Sequence, residues 1–392
     1  MILLCLFGNA GARYEVGPAD LEPKLAVLHV RGTAYEMGQA YGSLMRDEIR
    51  KLLPEAFAYL RSEIGQYLQW LPKKLREEIE TFGIEAGLNL TISVTKPHTP
   101  QHFLDTLNGL ANGTGMPMHE LYQISMIPEL IKASCSIVGA WDDATADKEG
   151  LLQLRALDWT TSGPFQQFPL LLNYHPTDGG HDFSILTWAG LVGAITGFSS
   201  AGMGVSEKVW IEYSGVQNIV GYPFHFLMQD ILQFDQDMDQ ALSRVATANR
   251  TCSIFLGIGD KTNDYFKLLE YSYQEVNIYN DKNFPTYRNH DQFDSLVFVD
   301  KHVQPSKDPC LNSLMHKYYG SLSPQTLIDT VSLFQTGDMH VAIYDYERSL
   351  MFVSNASPMN GSEGSVIPAY DRQFIGLDMT QMWNASLAAS PQ

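Results

Sequence analysis

The sequence predicts an α+β fold with a two-sheet core and helices on both outer faces. Three observations carry that reading. Residues 33–132 read almost entirely as helix. Residues 135–355 read mostly as short apolar strands. Helix pairs at 222–248 and 309–334 interrupt those strands. Strands, then helices, then strands again call for stacked sheets covered from outside. Periodicity alone does not separate this arrangement from other α+β folds. At 392 residues, 45% hydrophobic and 18% charged, the chain can bury a large core.

Residues 25–31 alternate loosely and predict a strand. Helical spacing follows from Ala34 to Leu53, where Met37, Ala40, Tyr41, Leu44 and Ile49 share a face. Pro54 predicts a break or a fresh start, and helix then continues to Gly87. Residues 88–100, rich in Thr, Ser and Pro, predict a loop before helices at 100–110 and 117–132. Strands are expected at 135–141, 151–158, 168–175, 183–189, 192–198 and 202–208, punctuated by glycines. After helices at 222–233 and 237–248, strands resume at 253–258, 265–271, 274–279 and 295–300, with a polar loop at 280–293. Helices at 309–318 and 323–334 precede two last strands, 339–346 and 349–354, and a polar, Gly-rich tail.

The formal net charge of −18 argues against nucleic acid and anionic membrane surfaces as partners. No apolar run is long enough to span a bilayer, so no stable membrane insertion is expected. Residues 1–12 carry an apolar run and then small residues, which resembles a short signal peptide without a basic start. Asn89, Asn112, Asn249, Asn355, Asn360 and Asn384 each open an N-x-S/T triplet, more than chance spacing gives. Together these predict a secreted or lysosomal glycoprotein. Cys5 would leave with the signal. In an oxidising lumen the remaining three cysteines predict one pair and one thiol: Cys252 with Cys310, and Cys135 alone. Three buried, unpaired cysteines are the other reading.

The stretch from Ala133 to Trp141 stands where helices give way to strands. The small pair Ser134–Cys135 opens the first strand, and the next carries Leu154-Arg155-Ala156-Leu157-Asp158-Trp159. A cation favours the thiolate of a nucleophilic cysteine, and a carboxylate orients its base. Cys-Ser at a strand start, then Arg-x-x-Asp-Trp, resembles the cysteine N-terminal-nucleophile (Ntn) hydrolases. The resemblance is to their penicillin acyltransferase-like group, kin to acid ceramidase, choloylglycine hydrolases and phospholipase B-like proteins. Gly32-Thr33-Ala34-Tyr35-Glu36-Met37-Gly38 with Gly42, and Asn112-Gly113-Thr114-Gly115-Met116-Pro117-Met118-His119-Glu120-Leu121, fit the same group.

The resemblance implies a four-layer αββα sandwich with a largely helical N-terminal segment. It implies self-cleavage between Ser134 and Cys135, dividing the chain into segments 13–134 and 135–392. Cys135 would be the nucleophile and its freed amine the base. Asp158 would hold that amine, Arg155 would stabilise the thiolate, and Asn289 would donate to the oxyanion. A small-molecule or lipid acyl amide is the implied substrate, with lipid deacylation or acyl transfer as alternatives on the same fold. No metal or other cofactor is expected, since no HExxH, paired CxxC, P-loop or dinucleotide fingerprint occurs. Oligomeric state is left open.

Bland readings stand beside these. Arg155 and Asp158 could form a structural ion pair, and Trp159 a piece of core. Asp338 and His340 read more simply as a turn. Ser206 and Glu207 match nothing firm in the group. A papain-like peptidase would need His175, His290 or His340 as base. A non-catalytic binding protein would bury Cys135 as core.

Overall fold

A computed structural model describes residues 12–16, 25–66, 68–131, 133–148, 150–358 and 366–385. Its strands, in chain order, are β1 (Ala12–Val16), β2 (Ala26–Gly32), β3 (Ser134–Ala140), β4 (Leu152–Asp158), β5 (Pro169–Pro176), β6 (Phe183–Trp188), β7 (Thr196–Ser199), β8 (Met203–Val209), β9 (Ser253–Asp260), β10 (Tyr265–Ser272), β11 (Val276–Tyr279), β12 (Leu296–Val299), β13 (His340–Asp345), β14 (Leu350–Asn355), β15 (Ser357–Pro358), β16 (Val366–Ile367) and β17 (Ile375–Asp378). One sheet has nine strands in the order β1-β2-β5-β6-β7-β8-β9-β10-β11. A second has six, β12-β3-β4-β13-β14-β17, and β15 pairs with β16 apart from both.

Alternation along each strand sends neighbouring side chains to opposite faces. Val27, Leu171, Phe266, Ile137 and Tyr344 meet between the two sheets. On the other face of the larger sheet, Leu28, Leu172 and Val205 pack with Tyr41, Phe103 and Phe226 from helices. On the other face of the smaller sheet, Val138, Leu154 and Ile343 pack with Leu311, Leu327 and Val331, again from helices. Three apolar layers between four structural layers make an αββα sandwich.

The N-terminal segment is woven into this body. Its strand β2 pairs in parallel with β5, Val27 opposite Leu171. Helices Ala34–Leu44 and Gln101–Thr114 cross with their backbones nearly touching. A Cβ added at Gly38 would lie 2.1 Å from the Thr106 carbonyl oxygen, and one at Gly109 would lie 2.0 Å from that of Tyr35. At Gly42 and Gly113 an added Cβ would lie 2.5 and 2.3 Å from the carbonyl oxygens of Leu110 and Gln39, so the glycines at 38 and 42 serve close packing.

Several expectations need correction. Pro54 sits inside the helix Arg46–Glu63, and the break falls at Met45. Residues 88–95 are helical, not loop, within Ile84–Thr95. Thr91 and Thr95 donate their hydroxyls to the carbonyls of Gly87 and Thr91, at 2.9 and 2.8 Å, so these polar residues are satisfied inside a helix. The tail contributes an edge strand, β17, that composition hides. Residues 1–11, most of the signal-like stretch, lie outside the described residues.

The expected Cys252–Cys310 disulfide is absent. Cys252 packs on the helix side of the larger sheet, and Cys310 on the outer side of the smaller one. Both sheets stand between them, whereas a bridge needs Cα atoms within about 7 Å. Of the sequons, Asn89, Asn112, Asn249 and Asn384 are exposed. Asn355 is not an acceptor site in this fold: it ends β14 opposite His340 and is only 7% exposed. Asn360 lies outside the described residues.

Candidate active site

Ser134 and Cys135 open β3, which pairs antiparallel with β4. Asp158 stands opposite Ser134, Leu157 opposite Cys135 and Arg155 opposite Ile137. By alternation, Cys135 and Arg155 share the face towards the larger sheet, and Asp158 takes the other face. The Ser134–Cys135 peptide thus has a guanidinium on one side and a carboxyl on the other.

Arg155 is fully buried and makes four hydrogen bonds. Nη2 donates to Cys135 Sγ at 3.5 Å and to Glu207 Oε2 at 3.3 Å. Nε donates to the Glu207 carbonyl at 3.3 Å, and Nη1 to His340 Nε2 at 2.7 Å. An arginine only donates, so His340 Nε2 is the acceptor and the ring is neutral with its proton on Nδ1. Burial, with Arg155 adding to it, holds the His340 pKa well below the usual imidazole range. Burial pushes the Cys135 thiol up to about 12, although Arg155 pulls the other way. The sulfur is therefore a covered, protonated thiol.

Asp158 accepts from Thr336 Oγ1 at 2.6 Å and from the Gly337 N–H at 2.9 Å. Burial raises its pKa to about 6 against those two bonds. The turn that supplies them depends on its backbone. Gln335 closes helix Pro324–Phe334 in the left-handed region and Gly337 has φ +91°, where a side chain would strike Val341. Ser136 Oγ extends the chain of hydroxyls, 2.7 Å from Thr336 Oγ1.

The structure thus brings Cys135, Ser134, Arg155 and Asp158 together. It does not bring Asn289 to them. That residue lies in the loop before the edge strand β12, and its Nδ2 donates to the Lys307 carbonyl at 2.5 Å. Its neighbour His290 stacks on Phe298 and bonds that residue's carbonyl. His175 is engaged with His29 and Asp182 elsewhere in the larger sheet. Among the described residues, the side-chain hydrogen bond to the Cys135 sulfur comes from Arg155.

Sequence reasoning missed Glu207, Lys208, Thr336 and the site role of His340. Lys208 is 1% exposed, and burial lowers its pKa while the nearby Cys135 and Asp300 oppose the shift. Two adjacent charges inside an otherwise apolar strand were the available signal. Among the described residues, no group of three or more His, Cys, Asp or Glu side chains could hold a metal ion.

Two hollows lie near the Ser134–Cys135 peptide, one lined by Ala133 and the other by Ser134. An apolar cavity of about 60 Å³ is lined by Ile127, Ile131, Ala133, Leu157, Trp188 and Phe224, with Glu207 at its edge. A polar, open cleft on the other side is lined by Ser134, Asp158, Thr160, Lys301, His302 and Asp338. Trp159 borders both.

No family profile matches the chain. It is 39% identical to protein dcd1A of Dictyostelium discoideum over 95% of its own length and 89% of that protein. It is also 39% identical to dcd1B of the same organism, over 95% of the chain and 77% of that protein. Among solved structures, it resembles a Caenorhabditis elegans N-acylethanolamine-hydrolyzing acid amidase ortholog, at 14% identity and a TM-score of 0.41, covering 62% of this chain and 100% of that one.

Proposed function

The chain belongs to the family of dcd1A and dcd1B, and we propose that it is a self-cleaving Ntn amidohydrolase with Cys135 as nucleophile. One observation carries this: the Cys135 sulfur accepts a hydrogen bond from Arg155, while Asp158 stands opposite Ser134 on the neighbouring strand. A thiol held near 12 needs a base. His340 at the site is occupied as the acceptor of an Arg155 N–H, so the base we assign is the α-amine of Cys135 itself, which ordinarily titrates near 7.7–8.0.

That amine must first be made. Sγ attacks the Ser134 carbonyl, and the thiol proton passes to the departing nitrogen as the Ser134–Cys135 amide breaks. Water then opens the thioester, leaving a Ser134 carboxylate and a restored thiol. In turnover the amine takes the thiol proton and Sγ attacks the substrate amide. The substrate amine departs with a proton, and water releases the acid. Arg155 holds the sulfur's negative charge, and Asp158 holds the amine.

For the substrate we take what the family resemblance implies, a linear N-acyl amine or N-acyl lipid; the apolar cavity suits an acyl group and the polar cleft an amine. We further propose passage through a secretory lumen, supported by the four exposed sequons.

Intact mass and N-terminal sequencing, beside hydrolysis of N-acyl amides, test the mechanism. Wild type should show a break before Cys135. Cys135→Ala should be uncut and inactive, and Cys135→Ser cut slowly at best. An active wild type with an intact 134–135 bond refutes the mechanism, and an active Cys135→Ala refutes the residue. A product carrying an added amine in place of the free acid would mark acyl transfer.

A further inference from the structure

Glu129 lies six residues before the proposed cut, in the short helix Ile127–Leu130, and is 9% exposed. Its partners all come from the far side of the cut. Oε1 accepts from the Phe224 N–H at 2.9 Å and from Thr251 Oγ1 at 3.0 Å, with His225 Nδ1 3.7 Å away. Phe224 is the first residue of the helix Phe224–Phe234, where the backbone favours a carboxylate. His225 is buried, and its ring sits directly behind Gly193, a wall residue of the apolar cavity. The residues around Glu129 are wall as well: Ile127, Pro128, Ile131 and Ala133 all line that cavity.

Cleavage changes what holds this wall. Before the cut, residues 127–134 are tethered at both ends. Afterwards they end in a new carboxylate at Ser134, beside Asp158 and Asp338 in the polar cleft. Their apolar side chains still favour staying seated. Ordering a free chain end opposes it, and so does like charge. A buried carboxylate with charge-assisted bonds on the other segment tips that balance.

We propose that Glu129 is a latch and a specificity-determining positioning residue. It keeps the freed end of the first segment seated as one wall of the acyl cavity, and so sets which acyl chain length is accepted. This rests on the hydrolase reading above.

The test uses the full chain and a series of N-acyl amines with straight acyl chains from short to long. Glu129→Leu removes every partner contact, whereas Glu129→Gln keeps an acceptor oxygen. Glu129→Leu should still be cut before Cys135, but discrimination between neighbouring chain lengths should fall at least about tenfold, the scale on which an apolar pocket senses one methylene. Carboxypeptidase should then trim the segment back from Ser134. Glu129→Gln should restore both the length preference and the protection. A cut Glu129→Leu protein with the wild-type length profile and an untrimmed end overturns the proposal. If Glu129→Leu does not fold, Thr251→Val removes one donor and should give a smaller shift in the same direction; an unchanged profile there also overturns it. An uncut wild type fails the hydrolase reading first, and the latch with it.

Discussion

Asp158→Asn separates what this carboxyl does for stability from what it does for chemistry. The variant is made in a Cys135→Ala chain, which stays uncut. Burial lifts the Asp158 pKa from its ordinary 3.8 to about 6, so the folded state holds the proton more tightly than the unfolded chain. The neutral carboxyl favours folding fully below about pH 4, and that contribution is lost as pH rises through about 6. Above pH 7 the ionised carboxylate costs the folded state about 3 kcal/mol relative to a side chain that never ionises. Asn keeps one oxygen for either the Thr336 hydroxyl or the Gly337 N–H. Losing the other bond adds an offset that does not depend on pH. The stability of Asp158→Asn minus that of its parent should therefore climb by about 3 kcal/mol between about pH 4 and pH 8. Urea unfolding across that range measures it. A flat or falling difference would refute the assignment of Asp158 as a strained buried acid. If the otherwise wild-type chain cuts itself as proposed, the new ammonium of Cys135 would keep Asp158 ionised, so the climb should shrink. There Asp158→Asn should cost at least about a hundredfold in amide hydrolysis, the lower end of what a positioned acid–base pair contributes.

Two further expectations follow from burial. Arg155→Met leaves the Glu207 carboxylate, 4% exposed, without its guanidinium, and should destabilise the chain by about 3–5 kcal/mol; adding Glu207→Gln should recover part of that in urea unfolding without recovering activity, and no recovery would show that the pair is not the cause. Glycopeptide mapping after eukaryotic expression should find sugar on exposed sequons such as Asn89 and Asn249 and none on Asn355, and a glycan there would contradict its burial in β14.

Where sequence reasoning succeeded, the signal was local. The change from helical to strand spacing at Ser134–Cys135 is a property of neighbouring residues, and so is the Arg-x-x-Asp spacing that β4 turns into two faces. The pairing of Cys252 with Cys310 was a parity argument. Parity says nothing about which side of a sheet a residue occupies, and here two sheets intervene. Asn289 rests on the likeness of Asn289-His290 to a family pair, but what fixes a loop residue is its own bonds, and these tie it to Lys307. Residues 88–95 misled through composition, because threonines that bond back to the preceding turn are at home in a buried helix.

Glu207 and Lys208 could have been found by a stricter use of the fold itself. In an αββα sandwich both faces of a central strand are covered, one by the other sheet and one by helices. A charge there has no solvent side to escape to, and burying it uncompensated costs too much to persist without a partner or a task. Once two covered sheets are expected, every charge inside a central strand becomes a candidate for the site. By that rule β4 offers Arg155 and Asp158, and β8 offers Glu207 and Lys208, all four buried and all four charge neighbours of Cys135; it also picks out Asp260 ending β9 and Asp345 ending β13, whose carboxylates instead accept from nearby backbone N–H groups. The charges of β10, Lys267 and Glu270, are only half-buried near the edge of the larger sheet, and the rule passes them over.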